Sequence, residues 1–511
     1  MRKWWPLVTI CLGTFMLLVD VTIVNVALPD MAVDLGTSFS AMQWVVDAYA
    51  LALAALLMGI GSISDIVGHR RAYIAGLGLF AVSSLACGVA PDVGLLIGAR
   101  AVQGVGGAAM FATTFALLNS SYRGRDRGTA YGMWGAVSGA SAALGPIIGG
   151  LLTQGLSWRW IFFVNLPVSV AAIALSLRVL SGERPTDRRQ VDVPGMATFT
   201  VAAAAIVFAS IRSSDNGWIS WQVLGLLVLS AVALIGFIVV ERRSDHALLD
   251  LGLFGNKSFV GIMLAALLIN FAAFAYFTYT SIWLQSLIGL SPIEAGLTGL
   301  PLSASAFLVS AVIGRFLHKS APGPIIGGGL ILIGAGGLLC ALFVGSSSSW
   351  PALVAGFAIS GIGVGLATPT LGSSAMAAVQ PQRGGMAAGA VNTARQLGFA
   401  LGIAVLGSIF TARVAHSLSG HGVHGAAGLA NALAGGQSKA VIGTAPAAGR
   451  DQLVHTIHTA FASGLDAAFL VAGLVGVLTG VVVLLLVRPG KPGTEPAAEP
   501  AQWESKDALA G

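Results

Sequence analysis

Long apolar runs, separated by short polar and mostly basic intervals, recur along the whole chain. A helix that crosses a bilayer needs about 20 mostly apolar residues. Runs of that kind lie near 7–28, 43–63, 73–90, 94–118, 129–152 and 160–180, then near 194–211 and 221–240. Six more lie near 258–286, 293–316, 323–343, 351–377, 386–411 and 461–487. The pattern predicts an all-α integral membrane protein with fourteen transmembrane helices. Residues 1–181 form a six-helix bundle, 182–257 two inserted helices with flanking loops, and 258–488 a second six-helix bundle. The stretch 413–459, rich in Gly, Ala and Ser, reads as a flexible outer loop with room for a short surface helix, and 489–511 as a disordered tail.

Charge placement tests the count, because one missing helix would invert every later loop. With the N-terminus in the cytoplasm, 20 of the 27 Lys and Arg fall on inner loops and termini. Arg212, Arg413, Lys439 and Arg450 fall outside, and Arg100, Arg159 and Arg395 lie in or near helices. Both termini are therefore expected in the cytoplasm, in a multi-pass protein of the cell membrane. The apolar segment after Met1–Pro6 is too long for a signal-peptide core, carries Asp20 and has no A-x-A site, so it reads as a retained helix.

Composition narrows the classes. Hydrophobic residues make up 56% of the 511 and charged residues only 9%, against about 25% charged in a soluble domain. The 68 glycines are about twice the usual share, which suits close-packed membrane helices. Soluble enzymes, nucleic-acid binders and disulfide scaffolds drop out. Cys11, Cys87 and Cys340 sit inside apolar runs as small fillers, without metal-ligand spacing. His416, His421, His424, His455 and His458 have only Asp451 and Asp466 near them, so a solvated loop is favoured over a metal site.

Candidate chemistry sits where polar residues interrupt the apolar runs. Asp20 lies in the middle of the first helix, where an ionisable side chain faces a cavity or a partner. Desolvation there disfavours the charged form, which makes Asp20 a candidate proton carrier. Asp47, nearer the outer end of the second helix, is held in reserve. Arg100, with Gln103 one turn on, is a buried guanidinium that needs a carboxylate, carbonyls or water. The sequence leaves open whether it meets Asp20 or only tethers backbone carbonyls. Between the second and third helices runs Gly61-Ser62-Ile63-Ser64-Asp65-Ile66-Val67-Gly68-His69-Arg70-Arg71. There Asp65 is placed to accept from a facing helix N-terminus, forming an inner latch. The fifth helix carries Gly135, Gly139, Gly145, Pro146, Gly149 and Gly150, a density that implies a bent, tightly packed helix.

Together these stretches resemble the major facilitator superfamily, and specifically its fourteen-helix drug:proton antiporters. The resemblance rests on Asp20–Pro29, Gly61–Arg71, the Arg100 stretch, Gly145-Pro146 with Gly149-Gly150, Trp158–Pro167 and Asn392–Gly398, over about residues 5–410. The loop departs from the family pattern at Ile66 and His69, where basic residues are usual. The resemblance implies two six-helix bundles rocking about a central cavity, with the inserted pair to the side. It also implies that the fifth helix holds the bundles together and limits proton leak.

The implied activity is proton-coupled export of lipophilic drugs or antibiotics, driven by the proton gradient with no cofactor. Its alternative on the same fold is export of a specific metabolite, siderophore or lipid. No HExxH, G-x-S-x-G or nucleotide-loop motif supports an enzyme, and a passive channel would not explain the fifth helix. Expected partners are small lipophilic substrates, protons and the bilayer, with no nucleic acid and no metal, in a monomer. Candidate cavity residues are Asn25, Gln103, Phe274, Tyr276, Tyr279, Trp283, Asn392 and Arg395; Tyr276, Tyr279 and Trp283 share one helical face. An aromatic face of this kind either stacks on planar cations or packs in the protein. Some members of the family that export dications carry an acid within the tenth helix. Here there is none between Gly299 and Gly314, and Glu294 lies at its outer end, so the resemblance favours monovalent cations or neutral compounds over dications. The topology predicts that a reporter fused after Arg488 is cytoplasmic and that a cysteine at Gly435 is labelled from outside. Labelling at 435 only from the cytoplasm would contradict fourteen helices.

Overall fold

The computed structural model describes residues 2–37, 39–181, 191–244, 247–316, 320–380, 383–444 and 450–487, and within these the side chains of Asn25 and Pro146 lie outside the description. The predicted loop at 182–190 and the tail at 489–511 also lie outside it. The described residues are helical, with no strand among them. We number the long helices α1 (Trp5–Asp34), α2 (Phe39–Val67), α3 (His69–Gly88), α4 (Val93–Ser121), α5 (Gly124–Gly155) and α6 (Trp160–Val179). The inserted pair is α7 (Val193–Asn216) and α8 (Trp221–Glu241). Then come α9 (Lys257–Leu287), α10 (Pro292–Ile313), α11 (Pro322–Phe343), α12 (Val354–Ala377), α13 (Gly384–Gly420) and α14 (Arg450–Leu486). Thirteen of these are long and apolar enough to cross a membrane. The remaining one, α5, is 32 residues long. With it, the described residues hold fourteen long helices, which fits the expected count.

Within the first six helices α1 packs on α5, and α4 on α2 and α3. Within the last six, α11 packs on α12 and α14, and α13 on α9 and α14. The two sets meet along two seams, α2 with α13 and α5 with α10. Close approach along both seams requires glycine. A Cβ on Gly132 would stand 2.6 Å from Gly314 Cα, and one on Gly389 would stand 2.9 Å from the Leu57 carbonyl oxygen. A side chain at either point would force the backbones apart.

Two expectations need correction. The inserted pair is not simply to the side: α7 packs on both α2 and α13, covering that seam, while α8 turns Val228, Val232 and Ile235 outward. Met196 of α7 fills the space above Gly59, and at the far end Trp218 Nε1 donates to Ser408 Oγ at 2.6 Å. The stretch 413–459 is also mostly helical in its described part. The helix α13 runs on to Gly420, and short helices follow at Ala426–Ala434 and Ser438–Thr444. Leu418, Ala430 and Leu433 bury their side chains with Ile457 and Phe461, which gives this segment a core that its Gly/Ala/Ser composition concealed.

Gly132→Val should wedge α5 from α10 at a cost of about 1–3 kcal/mol. The native cysteines are buried, so a cysteine introduced at buried Ala387 reports the seam. Its labelling should accelerate in the Gly132→Val background, and an unchanged rate would show that this contact does not hold the halves together.

Candidate functional site

Asp20 and Arg100 meet inside the first six helices. Arg100 Nη1 donates to Asp20 Oδ2 at 2.6 Å, with the two side chains 1% and 0% exposed. Asp20 Oδ1 accepts from Gln103 Nε2 at 3.1 Å and from Asn165 Nδ2 at 2.9 Å. Arg100 also donates from Nε to the Val45 carbonyl at 3.0 Å and from Nη1 to Gln103 Oε1 at 2.8 Å. The Tyr49 ring lies 4.2 Å from the guanidinium carbon, adding a cation–π contact. Local structure explains the convergence. Arg100 and Gln103 are three residues apart on α4 and so share a face. The sixth helix is interrupted at Val164 and restarts at Asn165, which turns that amide inward, where it also donates to Ser84 Oγ at 3.1 Å. Ser84 in turn donates to the Phe162 carbonyl at 2.9 Å, near the interruption. One cluster thus ties α1, α2, α3, α4 and α6 together. Asp47 lies two residues beyond Val45 on α2 and is partly buried.

The fifth helix stands between this cluster and the other half. A Cβ on Gly145 would lie 3.3 Å from the Val19 carbonyl oxygen, and one on Gly149 would lie 2.9 Å from Ile23 Cγ1. These two glycines therefore seat the turns of α1 on either side of Asp20. On the opposite face Gly135 meets Ser310 and Pro369, Gly139 meets Ala306, and Gly150 meets Ile293. Those partners belong to α10 and α12. No side chain can enter between α1, α5 and α10 without moving a helix.

A second polar site lies at the end of the molecule that carries the basic loops. Asp65 on α2 accepts from the first N–H groups of α13, Gly385 N at 2.6 Å and Met386 N at 2.9 Å. Both donors would otherwise be orphans of the helix start, and the helix dipole favours a carboxylate there. Beside it His69 Nε2 stands 3.5 Å from Asp65 Oδ1, and its Nδ1 lies 3.2 Å from Ser64 Oγ. The backbone contact of Gly61 with Gly385 lets the carboxylate reach. Gly68 takes φ +100°, a turn that favours glycine. Arg70 donates to the Leu177 carbonyl at 2.6 Å, bracing α3 against α6, and Arg71 is exposed. Arg383, just before α13, pairs with Asp250 at 3.0 Å, a contact with no sequence signal beyond two opposite charges.

The remaining candidates separate. Tyr276, Tyr279 and Trp283 do not present an open aromatic face. Tyr276 packs against Phe277, Phe357 and Phe469, and Tyr279 stacks on Phe410 while donating to the Ile403 carbonyl at 3.1 Å. They form the aromatic core of the last six helices because α9 breaks after Ala273 and turns them inward; Phe274, at the break, stays partly exposed. Asn392 reaches across to the first half, donating to the Phe111 carbonyl at 3.1 Å. Arg395 is partly buried, with its Nε unpartnered. Asn165, Tyr49 and Ser84 are the members that sequence reasoning missed. Asn165 alone left a signal, as an amide in the otherwise apolar Trp158–Pro167 stretch.

An all-helical fold with two facing six-helix sets, a buried ion pair and a latch between the halves describes a membrane transporter. The sequence profile of the Major Facilitator Superfamily matches residues 10–403, and the chain belongs to that superfamily. It is 36% identical to the puromycin resistance protein pur8 of Streptomyces alboniger, over 91% of this chain and 89% of that protein. It is 36% identical to the multidrug resistance protein Stp of Mycobacterium tuberculosis, over 80% and 76% of the two chains. The tetracenomycin C resistance and export protein of Streptomyces glaucescens is 32% identical, over 96% and 93%. Among solved structures, the human organic anion transporter MFSD10 aligns with a TM-score of 0.63 at 13% identity, covering 94% of this chain and 99% of that one.

Removing one partner of a buried ion pair costs about 3–5 kcal/mol, because the other charge is stranded. Asp20→Asn and Arg100→Gln should each lower the thermal midpoint of the purified protein. The double variant should lose clearly less than the sum. Strict additivity would mean that the two groups do not interact.

Proposed function

We propose that this protein exports small lipophilic compounds, monovalent cations or neutral antibiotics among them, from the cytoplasm in exchange for protons. What carries the reading is the Asp20 cluster, an ionisable pair fully enclosed in a chain whose relatives are named as drug and antibiotic resistance proteins. One proton moving down 100 mV releases about 2.3 kcal/mol, enough for roughly a fifty-fold gradient of a neutral compound. Coupling needs a group at which protonation and substrate occupancy disfavour one another. Asp20 meets that need. When it takes a proton it releases Arg100, which keeps the Val45 carbonyl and Gln103 Oε1 as acceptors and so is not left bare. The turns of α1 around Asp20 rest on Gly145 and Gly149, so a shift there bears on α5 and through it on α10.

The excess of Lys and Arg on one set of loops supports placing the Asp65 end and both termini in the cytoplasm of a plasma-membrane protein. On that placement the structure is the state closed toward the cytoplasm, with Asp65 locking α2 to α13. Alternating access then requires this latch to open in each cycle. Membership of the superfamily and the names of its relatives support reading it as a transporter that acts without a cofactor, and not as an enzyme.

In everted vesicles, Asp20→Asn should abolish efflux driven by a pH gradient while leaving substrate binding measurable. Uphill efflux at the wild-type rate would place the coupling carboxylate elsewhere. Asp65→Asn keeps the shape but weakens charge-assisted bonds worth about 1.5–3 kcal/mol each. It should slow turnover at unchanged protein level, and unchanged turnover would reduce this loop to a topological anchor.

A further inference from the structure

Two acidic side chains are packed together at the basic ends of the inserted helices. Asp192 immediately precedes α7 and Glu241 is the last residue of α8, and they are 7% and 5% exposed. Neither takes part in the Asp20 cluster. Asp192 Oδ1 caps α7 by accepting from Gly195 N at 2.8 Å. Glu241 holds the segment that follows α8, accepting from Leu248 N on Oε1 at 3.2 Å and from Leu249 N on Oε2 at 3.1 Å. Asp192 Oδ2 is buried without a partner. A Cβ on Gly195 would stand 2.6 Å from Glu241 Oε1 and 2.7 Å from Asp192 Oδ2, so the two oxygens flank Gly195 and lie no farther apart than the sum of those distances.

Three of the four carboxyl oxygens therefore have a backbone donor, and the fourth faces another acid. Among the described residues no side-chain cation pairs with either. Arg242 and Arg243 follow Glu241 in the chain and are exposed. On the elements around the pair, Asp250 and Arg383 engage each other, and Asp65, with His69 beside it, caps α13. Two enclosed carboxylates this near each other repel. One proton on the pair removes that repulsion and fits the buried oxygen that has no partner. A metal ion fits poorly, because hard cations take six or more oxygens and only one is free.

We propose that the Asp192–Glu241 pair carries one proton, forming a proton-binding site at the basic end of the inserted pair, separate from Asp20. The site is wired to the latch. Glu241 grips Leu248 and Leu249, Asp250 next to them pairs with Arg383, and Arg383 precedes the α13 start that Asp65 caps. Loss of the proton sets two negative charges against each other, drives the ends of α7 and α8 apart, and loosens this strap. Its bearing on transport rests on the function proposed above; its protonation does not.

The test uses the full-length protein in lipid nanodiscs, with Asp192→Asn and Glu241→Gln. Asparagine caps a helix about as well as aspartate, so the first variant retains the α7 start. Infrared spectra of the wild type at neutral pH should show a protonated-carboxyl C=O band that both variants lose. The sign of the stability effect follows from linkage. At neutral pH the folded pair binds a proton that the unfolded chain has released, so stability falls as pH rises through the site's titration. The wild-type thermal midpoint should decline over that range, and Asp192→Asn should be flat relative to it. A difference spectrum without the carboxyl band, or equal pH slopes, overturns the proposal. Binding of sodium or potassium at fixed pH without that band overturns it equally. Neither measurement needs a substrate, so failure of the export reading would leave both results standing.

Discussion

A carboxylate and a guanidinium enclosed in a membrane protein cannot stand alone, and the first half of this chain is organised around satisfying both. Single charges at the bilayer centre cost about 2.5–3.5 kcal/mol even on insertion scales. The Asp20–Arg100 contact cancels that charge only because Gln103, Asn165 and the Val45 carbonyl take up the remaining donors and acceptors. Each partner comes from a different helix or turn, so the polar requirement fixes helix positions that apolar packing alone would leave free to slide. The interruption of α6 follows the same logic, since it delivers Asn165 to the one place an amide is needed.

From there the constraint passes through shape and not through further charges. Gly145 and Gly149 put the backbone of α5 directly against α1, and Gly135, Gly139 and Gly150 put its other face against α10 and α12. A helix wedged between two surfaces with no side chains to yield transmits displacement, because close-packed interiors compress little. At the basic end the halves are joined by two α13 N–H groups on one carboxylate. The molecule therefore combines a glycine-packed connection near Asp20 with a hydrogen-bonded one at Asp65. The inserted pair adds a cover over the α2–α13 seam and a second acidic centre joined to the same latch.

Much of this was legible in the sequence, and the gaps have physical reasons. Apolar run length and loop charge gave the spans, since both are local properties of the chain. Asp20 and Arg100 stood out singly because ionisable groups inside such runs are rare, but their meeting depends on helix packing that no spacing encodes. The stripe of Tyr276, Tyr279 and Trp283 had the period of a helix face, yet the break in α9 turned it into core. The segment after Thr411 looked loose because Gly, Ala and Ser dominate it, while a few leucines supplied its core. Asp192 and Glu241 gave no signal, because acids at helix ends beside basic loops read as ordinary solvated residues until burial is known.

The central claim is that substrate and proton compete through Asp20, and proton release on binding tests it most directly. The purified protein, weakly buffered with a pH indicator, is mixed with a compound that it has been shown to bind. Starting from a pH at which Asp20 carries its proton, binding should release that proton in the wild type, and Asp20→Asn should bind the same compound with no release. Binding without proton release in the wild type, or equal release in the variant, would contradict the account.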